Sequence, residues 1–228
     1  MNLLGIDTSS VACSVALQIG NDIFEKHAEE PREHTRLLMP MIREVLSDAD
    51  ISTSDLDAIV LGNGPGSFIG MRIAASVAQG LAFGAGIRII PVSSLAVVAA
   101  QVFAESDAEQ VAVAQDAHMN EVYLGVFERG ASGLPVAARE EHLQGLEEID
   151  DLPVASAAAR LAAGSGWQRY PDLLQLNIAR FAGISPVLYP RARFSLSIAK
   201  TGAAIAAEEV SPAYLRQKVA EKPAPAGS

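Results

Sequence analysis

The residues best placed to do chemistry stand near the start of the chain. Asp7 closes an apolar run, Leu3-Leu4-Gly5-Ile6, and three hydroxyl residues follow it, Thr8, Ser9 and Ser10. A carboxylate at the end of a strand, with backbone N–H groups in the turn behind it, can face a metal ion or a phosphate. The same residues also make an ordinary Asx turn, and spacing alone favours that reading. A second candidate is Gly62-Asn63-Gly64-Pro65-Gly66-Ser67, ahead of a helical pattern. Glycines there let backbone approach an anion at the helix N-terminus, where aligned peptide dipoles favour negative charge. No Lys-Ser or Lys-Thr follows, so this is not a Walker loop, and a structural turn accounts for the glycines equally well.

Other reactive side chains offer less. Cys13, the single cysteine, lies within Val11-Ala12-Cys13-Ser14-Val15-Ala16-Leu17 with no cationic neighbour to lower its pKa, so it reads as a buried thiol. The four histidines, His27, His34, His118 and His142, are never three or four residues apart, the spacing that pairs ligands on one helix face. No metal site is expected from them. His34, beside Glu33 at a helix start, reads as a surface or capping residue rather than a base.

The elements that position these residues follow from periodicity. Residues 2 to 7 and 11 to 19 read as strands, and Gly20-Asn21-Asp22 turns into a third. Apolar residues at three- and four-residue spacing predict a helix over 33 to 47. Residues 57 to 62 read as a buried strand, and Ser67 caps a second helix running to about Phe83. After Pro91-Val92, Ser93 or Ser94 caps a third helix ending near Ala104. The polar link from Glu105 to Glu109 marks a lobe boundary. Beyond it, Val111 to Asp116 and Glu121 to Phe127 repeat the opening order of strand, acid, tight turn and strand, so Asp116 stands where Asp7 stood and a duplicated fold is implied. Later segments read as strands at 158 to 163 and 186 to 188 and a helix at 197 to 209, with a disordered tail from Glu221. The division is 1–105, 106–220 and a tail of 221–228.

With 228 residues, 50% of them apolar, the chain can bury two cores of about 100 residues each. Its net charge of −10 argues against a broad nucleic-acid footprint. The start lacks a basic n-region, and the longest apolar stretch is broken by Arg88, Pro91 and Gln101, so neither a signal peptide nor a membrane span is expected and a cytoplasmic setting is.

The helix over 67 to 83 is the most telling element. After Arg72 its only polar side chains are Ser76 and Gln79, which leaves no side for water. Its small residues admit close approach of another helix. Half of it suits the lobe's own core, and a second polypeptide is the expected cover for the rest, with the helix over 33 to 47 beside it. The expected interface residues are Leu37, Leu38, Met41, Ile42, Val45, Ile73, Ala74, Val77, Ala78 and Leu81. Glutamates at Ala75 and Ala78 are expected to break such an interface while leaving the lobes folded.

Gly5-Ile6-Asp7-Thr8-Ser9, Arg32-Glu33-His34-Thr35, Gly64-Pro65-Gly66-Ser67-Phe68, Pro91-Val92-Ser93-Ser94-Leu95, Asp116-Ala117, Glu121-Val122-Tyr123 and Tyr214-Leu215-Arg216 together resemble the TsaB family, also called YeaZ. The resemblance runs in order along nearly the whole chain. It implies an α/β, actin-like or Hsp70-like (ASKHA) fold of two ribonuclease-H-like lobes with mixed sheets. It also implies a part in making N6-threonylcarbamoyladenosine beside the anticodon of tRNAs that read codons starting with A. TsaB looks like a paralogue of the transferase TsaD, so the implied role is a noncatalytic subunit that stabilises a TsaD-like partner and helps recruit the TsaE ATPase. Implied with it are ATP and metal on those partners, no tightly bound cofactor here, only indirect contact with tRNA, and a homodimer as a possible state in isolation.

TsaD-like proteins carry a metal-binding His-x-x-x-His pair after the Pro-Val strand, and those positions here are Ser94 and Val98. Valine cannot ligate a metal. Asp7, Thr8 and Asp116 remain candidates for a residual nucleotide or phosphate contact. Ile69 and Gln79 depart from the family's usual Thr and Lys, and His118-Met119-Asn120 from its usual Arg-rich turn. The other reading of the acids and the repeated lobes is an acetate- or sugar-kinase-like phosphotransferase using Mg-ATP. A metallopeptidase would need ligand pairs that the sequence does not offer.

Overall fold

A computed structural model describes residues 1–149, 152 and 159–216. The expected tail at 221–228 lies outside them.

The opening apolar run forms β1 (Asn2–Asp7), whose Leu3, Leu4 and Ile6 are buried. Burial on both faces makes it a central strand. It pairs antiparallel with β2 (Cys13–Ile19), which pairs antiparallel with β3 (Asp22–Ala28). On its other side β1 pairs parallel with β4 (Ala58–Gly62), and β4 with β5 (Arg88–Val92). The sheet order is β3-β2-β1-β4-β5. The predicted helices appear as α1 (His34–Asp48), α2 (Phe68–Ala85) and α3 (Ser94–Glu105).

The second half repeats this plan. β6 (Gln110–Asp116) pairs antiparallel with β7 (Glu121–Arg129) and parallel with β10 (Arg160–Ala163). With β8 (Pro135–Ala137) and β11 (Gly183–Ile184) the order is β11-β10-β6-β7-β8, and β9 (His142–Gly145) also pairs with β7. Two mixed sheets of matching topology, flanked by helices, make the α/β, actin-like architecture. The echo at Asp7 and Asp116 is therefore a repeat of structure.

The helices do not respect the sequence boundary at 105. α3 packs Leu95, Val98, Val102 and Phe103 against Val111, Val113, Tyr123 and Phe127 of the second sheet. Conversely α6 (Ala192–Ile198) brings Ala192 and Leu196 back onto Leu3, Ala16, Val60 and Val92 of the first. α3 and α6 touch each other and form the layer between the sheets. α3 thus finds its apolar partners in the second sheet and α6 in the first.

Later expectations need correction. No strand forms at 186 to 188; the edge strand is β11, four residues or so earlier, where Ser185 donates its N–H to Ala162 beside it. The helix expected over 197 to 209 is α6 followed by 3-10 turns at Ala199–Thr201 and Ala207–Glu209. Between those turns Ile205 is extended and bridges Ile89, which a helix cannot do. Two short helices, α4 (Ser165–Arg169) and α5 (Pro171–Asn177), have no counterpart in the sequence reading.

Candidate functional site: a sealed carboxylate and an open helix face

Asp7 is 1% exposed. Its Oδ1 accepts from the Ser9 N–H (2.8 Å) and the Ser9 hydroxyl (2.7 Å), and its Oδ2 accepts from the Ser94 hydroxyl (2.9 Å). Burial pushes its carboxyl above the ordinary aspartate range, against the lowering effect of those donors. A Cβ at Gly62 would overlap Asp7 Oδ2, so the strand behind the carboxylate closes it in. The acid is an internal knot joining β1, β4 and α3. The Asx-turn reading is the one realised, and no open face is left for a phosphate.

Its neighbours are committed in the same way. Thr8 is buried and its hydroxyl donates to the Gly70 carbonyl (2.7 Å). The Ser67 N–H donates to the Ser9 carbonyl (2.6 Å), so the glycine-rich loop packs on the β1–β2 turn. Ser67 caps α2, accepting from the Gly70 N–H (3.2 Å). Ser94 accepts from the Gly64 N–H (3.2 Å), and Val98 is fully buried in the core. His34 is buried, against the surface or capping role expected of it, and its Nε2 meets the Ser10 carbonyl at 2.9 Å. Burial, then the Asp7 charge, pushes the Cys13 thiol up to about 12, so it is inert at neutral pH.

Asp116 differs from Asp7. It is partly exposed, accepts from the His118 N–H (2.8 Å) and the Tyr170 hydroxyl (2.9 Å), and lies 4.0 Å from the Arg169 guanidinium. It lines a cleft of about 340 Å³ with Ser67, Phe68, Met71, Met119, Tyr123, Tyr214 and Arg216. Asp7 and Thr8 do not line that space. The two acids expected to share a nucleotide are thus not presented to one opening.

A strap crosses the cleft. Asn63 donates to the Ser211 carbonyl (2.9 Å) and accepts from the Ala213 N–H (3.0 Å). Tyr214 then stacks beside Phe68 with ring centroids 5.8 Å apart. Arg216 pairs with Glu121 (2.5 Å) and donates to the Ala117 carbonyl (2.9 Å) in the other lobe. The turn it grips, His118-Met119-Asn120, holds three consecutive residues at positive φ, an uncommon backbone for residues other than glycine.

α2 presents two faces. Met71, Ala74, Ala75, Ala78 and Ala82 are buried against the first sheet. Outward stand Phe68 (47% exposed), Ile69 (69%) and Phe83 (83%), with Arg72, Ser76, Gly80 and Gly84 exposed between half-buried Ile73, Val77 and Leu81. By length and hydropathy this helix could cross a membrane, unlike the sequence expectation, yet one face is locked in the core. Gln79 donates to the Ala207 carbonyl (2.9 Å), tying down the later 3-10 turn.

The expected interface set therefore divides. Leu38, Met41, Ile42, Val45, Ala74 and Ala78 lie in the lobe's own core and cannot face a partner. Glutamate at Ala75 or Ala78 would put a charge among Leu61, Ile59 and Ile42, unfolding the lobe instead of testing an interface. Leu37, Ile73, Val77 and Leu81 remain on the rim. The sequence reading missed Phe68, Ile69, Arg72, Phe83 and Tyr214 as the outward group. The only signal for them was four-residue spacing among the small side chains Ser76, Gly80 and Gly84.

A family model described as "TsaD: tRNA N6-adenosine threonylcarbamoyltransferase" matches residues 27–223. The protein named "tRNA threonylcarbamoyladenosine biosynthesis protein TsaB" in Escherichia coli K12 is 35% identical, covering 99% of each chain. Its namesake in Haemophilus influenzae is 35% identical over 99% of this chain and 98% of that one. The solved structure "YeaZ from Pseudomonas aeruginosa" superposes with a TM-score of 0.83 at 36% identity, covering 94% of this chain and 99% of the other. Matches of this extent, on a chain with this duplicated fold, place it where its motifs pointed: the chain belongs to the TsaB (YeaZ) family.

Proposed function

We propose that this chain acts in the synthesis of threonylcarbamoyladenosine in tRNA as a noncatalytic subunit, holding a TsaD-like transferase through the outward face of α2. The observation that carries the reading is the contrast between the two candidate regions. At the first turn Asp7, Thr8 and Ser9 are buried and hydrogen-bonded within the chain. On α2, by contrast, the apolar side chains Phe68, Ile69 and Phe83 stand exposed, and surface of that kind marks a site for another protein. The names of full-length relatives support the pathway. A TsaE-like ATPase would join the assembly, tRNA would meet the partner, and the setting would be the cytoplasm.

A phosphotransferase is not favoured. It would need Asp7 ionised and open to magnesium, whereas Asp7 is closed in by Gly62 and Ser94.

The test is Ile69→Glu with Phe83→Glu, both on the open face, in a binding titration against the cognate TsaD-like protein. We expect an unchanged melting curve and binding weakened by about 100-fold or more, since two charges would be buried without partners. Unaltered binding would refute the use of this face. Threonylcarbamoyl transfer by the isolated chain would refute the noncatalytic role.

A further inference from the structure

The turn between β6 and β7 holds its shape at a cost. His118, Met119 and Asn120 lie at φ of 58°, 55° and 59°, a left-handed region where Cβ crowds the following carbonyl oxygen. Single residues enter it as a rule, so a run of three without glycine persists only where its surroundings hold it there. Within the turn the Ala117 N–H donates to the Glu121 carbonyl (3.0 Å), the Glu121 N–H to the His118 carbonyl (3.1 Å) and the His118 N–H to Asp116 Oδ1 (2.8 Å). The remaining partner comes from a distant part of the chain.

Among the described residues, all the polar partners of the Arg216 guanidinium lie within 117–121. One Nη donates to the Ala117 carbonyl (2.9 Å) and the His118 carbonyl (3.4 Å) and pairs with Glu121 Oε2 (2.5 Å), while the other donates to Met119 Sδ (3.4 Å). The Arg216 side chain is only 14% exposed, so its charge is largely out of water and depends on these acceptors. A flat guanidinium with five donors can reach two carbonyls, a carboxylate and a thioether together, whereas a lysine ammonium is a point charge with three. The left-handed run is what brings both carbonyls to face one group.

The segment that delivers Arg216 is lightly held. From Gly202 to Arg216 only Ala207 is buried, and the fastening near the cleft is two hydrogen bonds to Asn63 and the contact of Tyr214 with Phe68. Segments with so little buried apolar surface open locally, without unfolding of the whole. Detachment leaves Glu121 and the inward carbonyls of Ala117 and His118 as an acceptor set shaped for the group that has left. We infer that the β6–β7 turn is a receptor for an alkylguanidinium group, filled here by the chain's own Arg216, and that its occupancy keeps the left-handed run in place. An arginine side chain on another polypeptide carries the same group and competes for the same acceptors, so its docking there frees residues 211–216.

The test follows hydrogen exchange of single amides in the full-length chain carrying Arg216→Ala, with methylguanidinium as the probe. In this variant the amides of His118 and Glu121 in the turn, and of Ala213 in the strap, should exchange about 10-fold faster than in wild type, or more. Methylguanidinium at about 10 mM fills a site of millimolar Kd and should slow His118 and Glu121 again by about 3-fold or more. Ala213 should stay fast, because the small ion fills the receptor without returning the strap. Methylammonium at the same concentration should slow none of the three. Recovery of all three amides together, equal action of methylammonium, or no response to either ion would overturn the inference, as would wild-type exchange at His118 in the variant. A second variant, Glu121→Gln, keeps Arg216 and removes the receptor's carboxylate, which guards against a loss of fold in the first. Its turn and strap amides should also quicken, and Arg216→Ala added to it should no longer respond to methylguanidinium; unchanged exchange in Glu121→Gln, or an undiminished response in the double variant, would equally overturn it.

Discussion

Gly70→Ala and Gly80→Ala add the same methyl group to the same helix, and their surroundings give them opposite signs. Within a helix, alanine is favoured over glycine by about 1 kcal/mol. A Cβ at Gly80 would meet nothing within 4 Å, so that variant should gain about 0.5–1 kcal/mol. A Cβ at Gly70 would overlap the Thr8 carbonyl oxygen, well inside the 3.0 Å that real Cβ atoms keep. The obstructing atom is backbone in the β1–β2 turn, which cannot rotate away as a side chain can. Two buried hydrogen bonds stand at that contact, Thr8 Oγ1 to the Gly70 carbonyl (2.7 Å) and the Ser67 N–H to the Ser9 carbonyl (2.6 Å). Breaking a buried pair and leaving its members unsatisfied costs about 1–3 kcal/mol each. Allowing for partial relaxation and the helix gain, Gly70→Ala should lose about 2–4 kcal/mol, or roughly 5–15 °C in melting temperature for a chain of this size. Urea titrations followed by circular dichroism would measure both. Equal stability of Gly70→Ala and wild type would refute the packing of the glycine-rich loop on the β1–β2 turn.

Asp7→Asn tests the sealed carboxylate. A carboxyl raised above its unfolded value binds its proton more tightly when folded, so its contribution to stability falls as pH rises from the ordinary aspartate range through the raised pKa. The Asn variant should lose that fall and be at least as stable as wild type at pH 7; a variant markedly less stable there would show that the ionised acid holds the fold. Arg216→Ala should release the strap from Ala117 and Glu121, lowering stability by about 2 kcal/mol. Hydrogen exchange should speed up at 117 to 121; unchanged exchange there would mean that the strap does not brace the turn.

Much was legible in the chain itself, and for local reasons. Strand, turn and helix each leave a short-range pattern, so strands at 2 to 7 and 57 to 62, a cap at Ser67 and another at Ser93 or Ser94 could be read from neighbours alone, and the structure chose Ser93. The repeated order around Asp7 and Asp116 disclosed the duplication. Uniform apolarity of α2 set the expectation that something covers it on every side. That same uniformity removed the information about which side is which, because a helix apolar all round has no periodic stripe to orient it. Only packing against Leu61 and Ile59 decided that Ala74 and Ala78 face inward while Ile69 and Phe83 face out. Likewise Asp7 looked available because its own turn is open in sequence. What closes it comes from far along the chain, Gly62 from behind and Ser94 from the side. The positions of α3 and α6 between the sheets, and of Tyr214 against Phe68, depend on surfaces that exist only once both lobes have formed. Composition and periodicity record what each segment needs; which distant segment supplies it is settled by shape, and shape belongs to the folded chain.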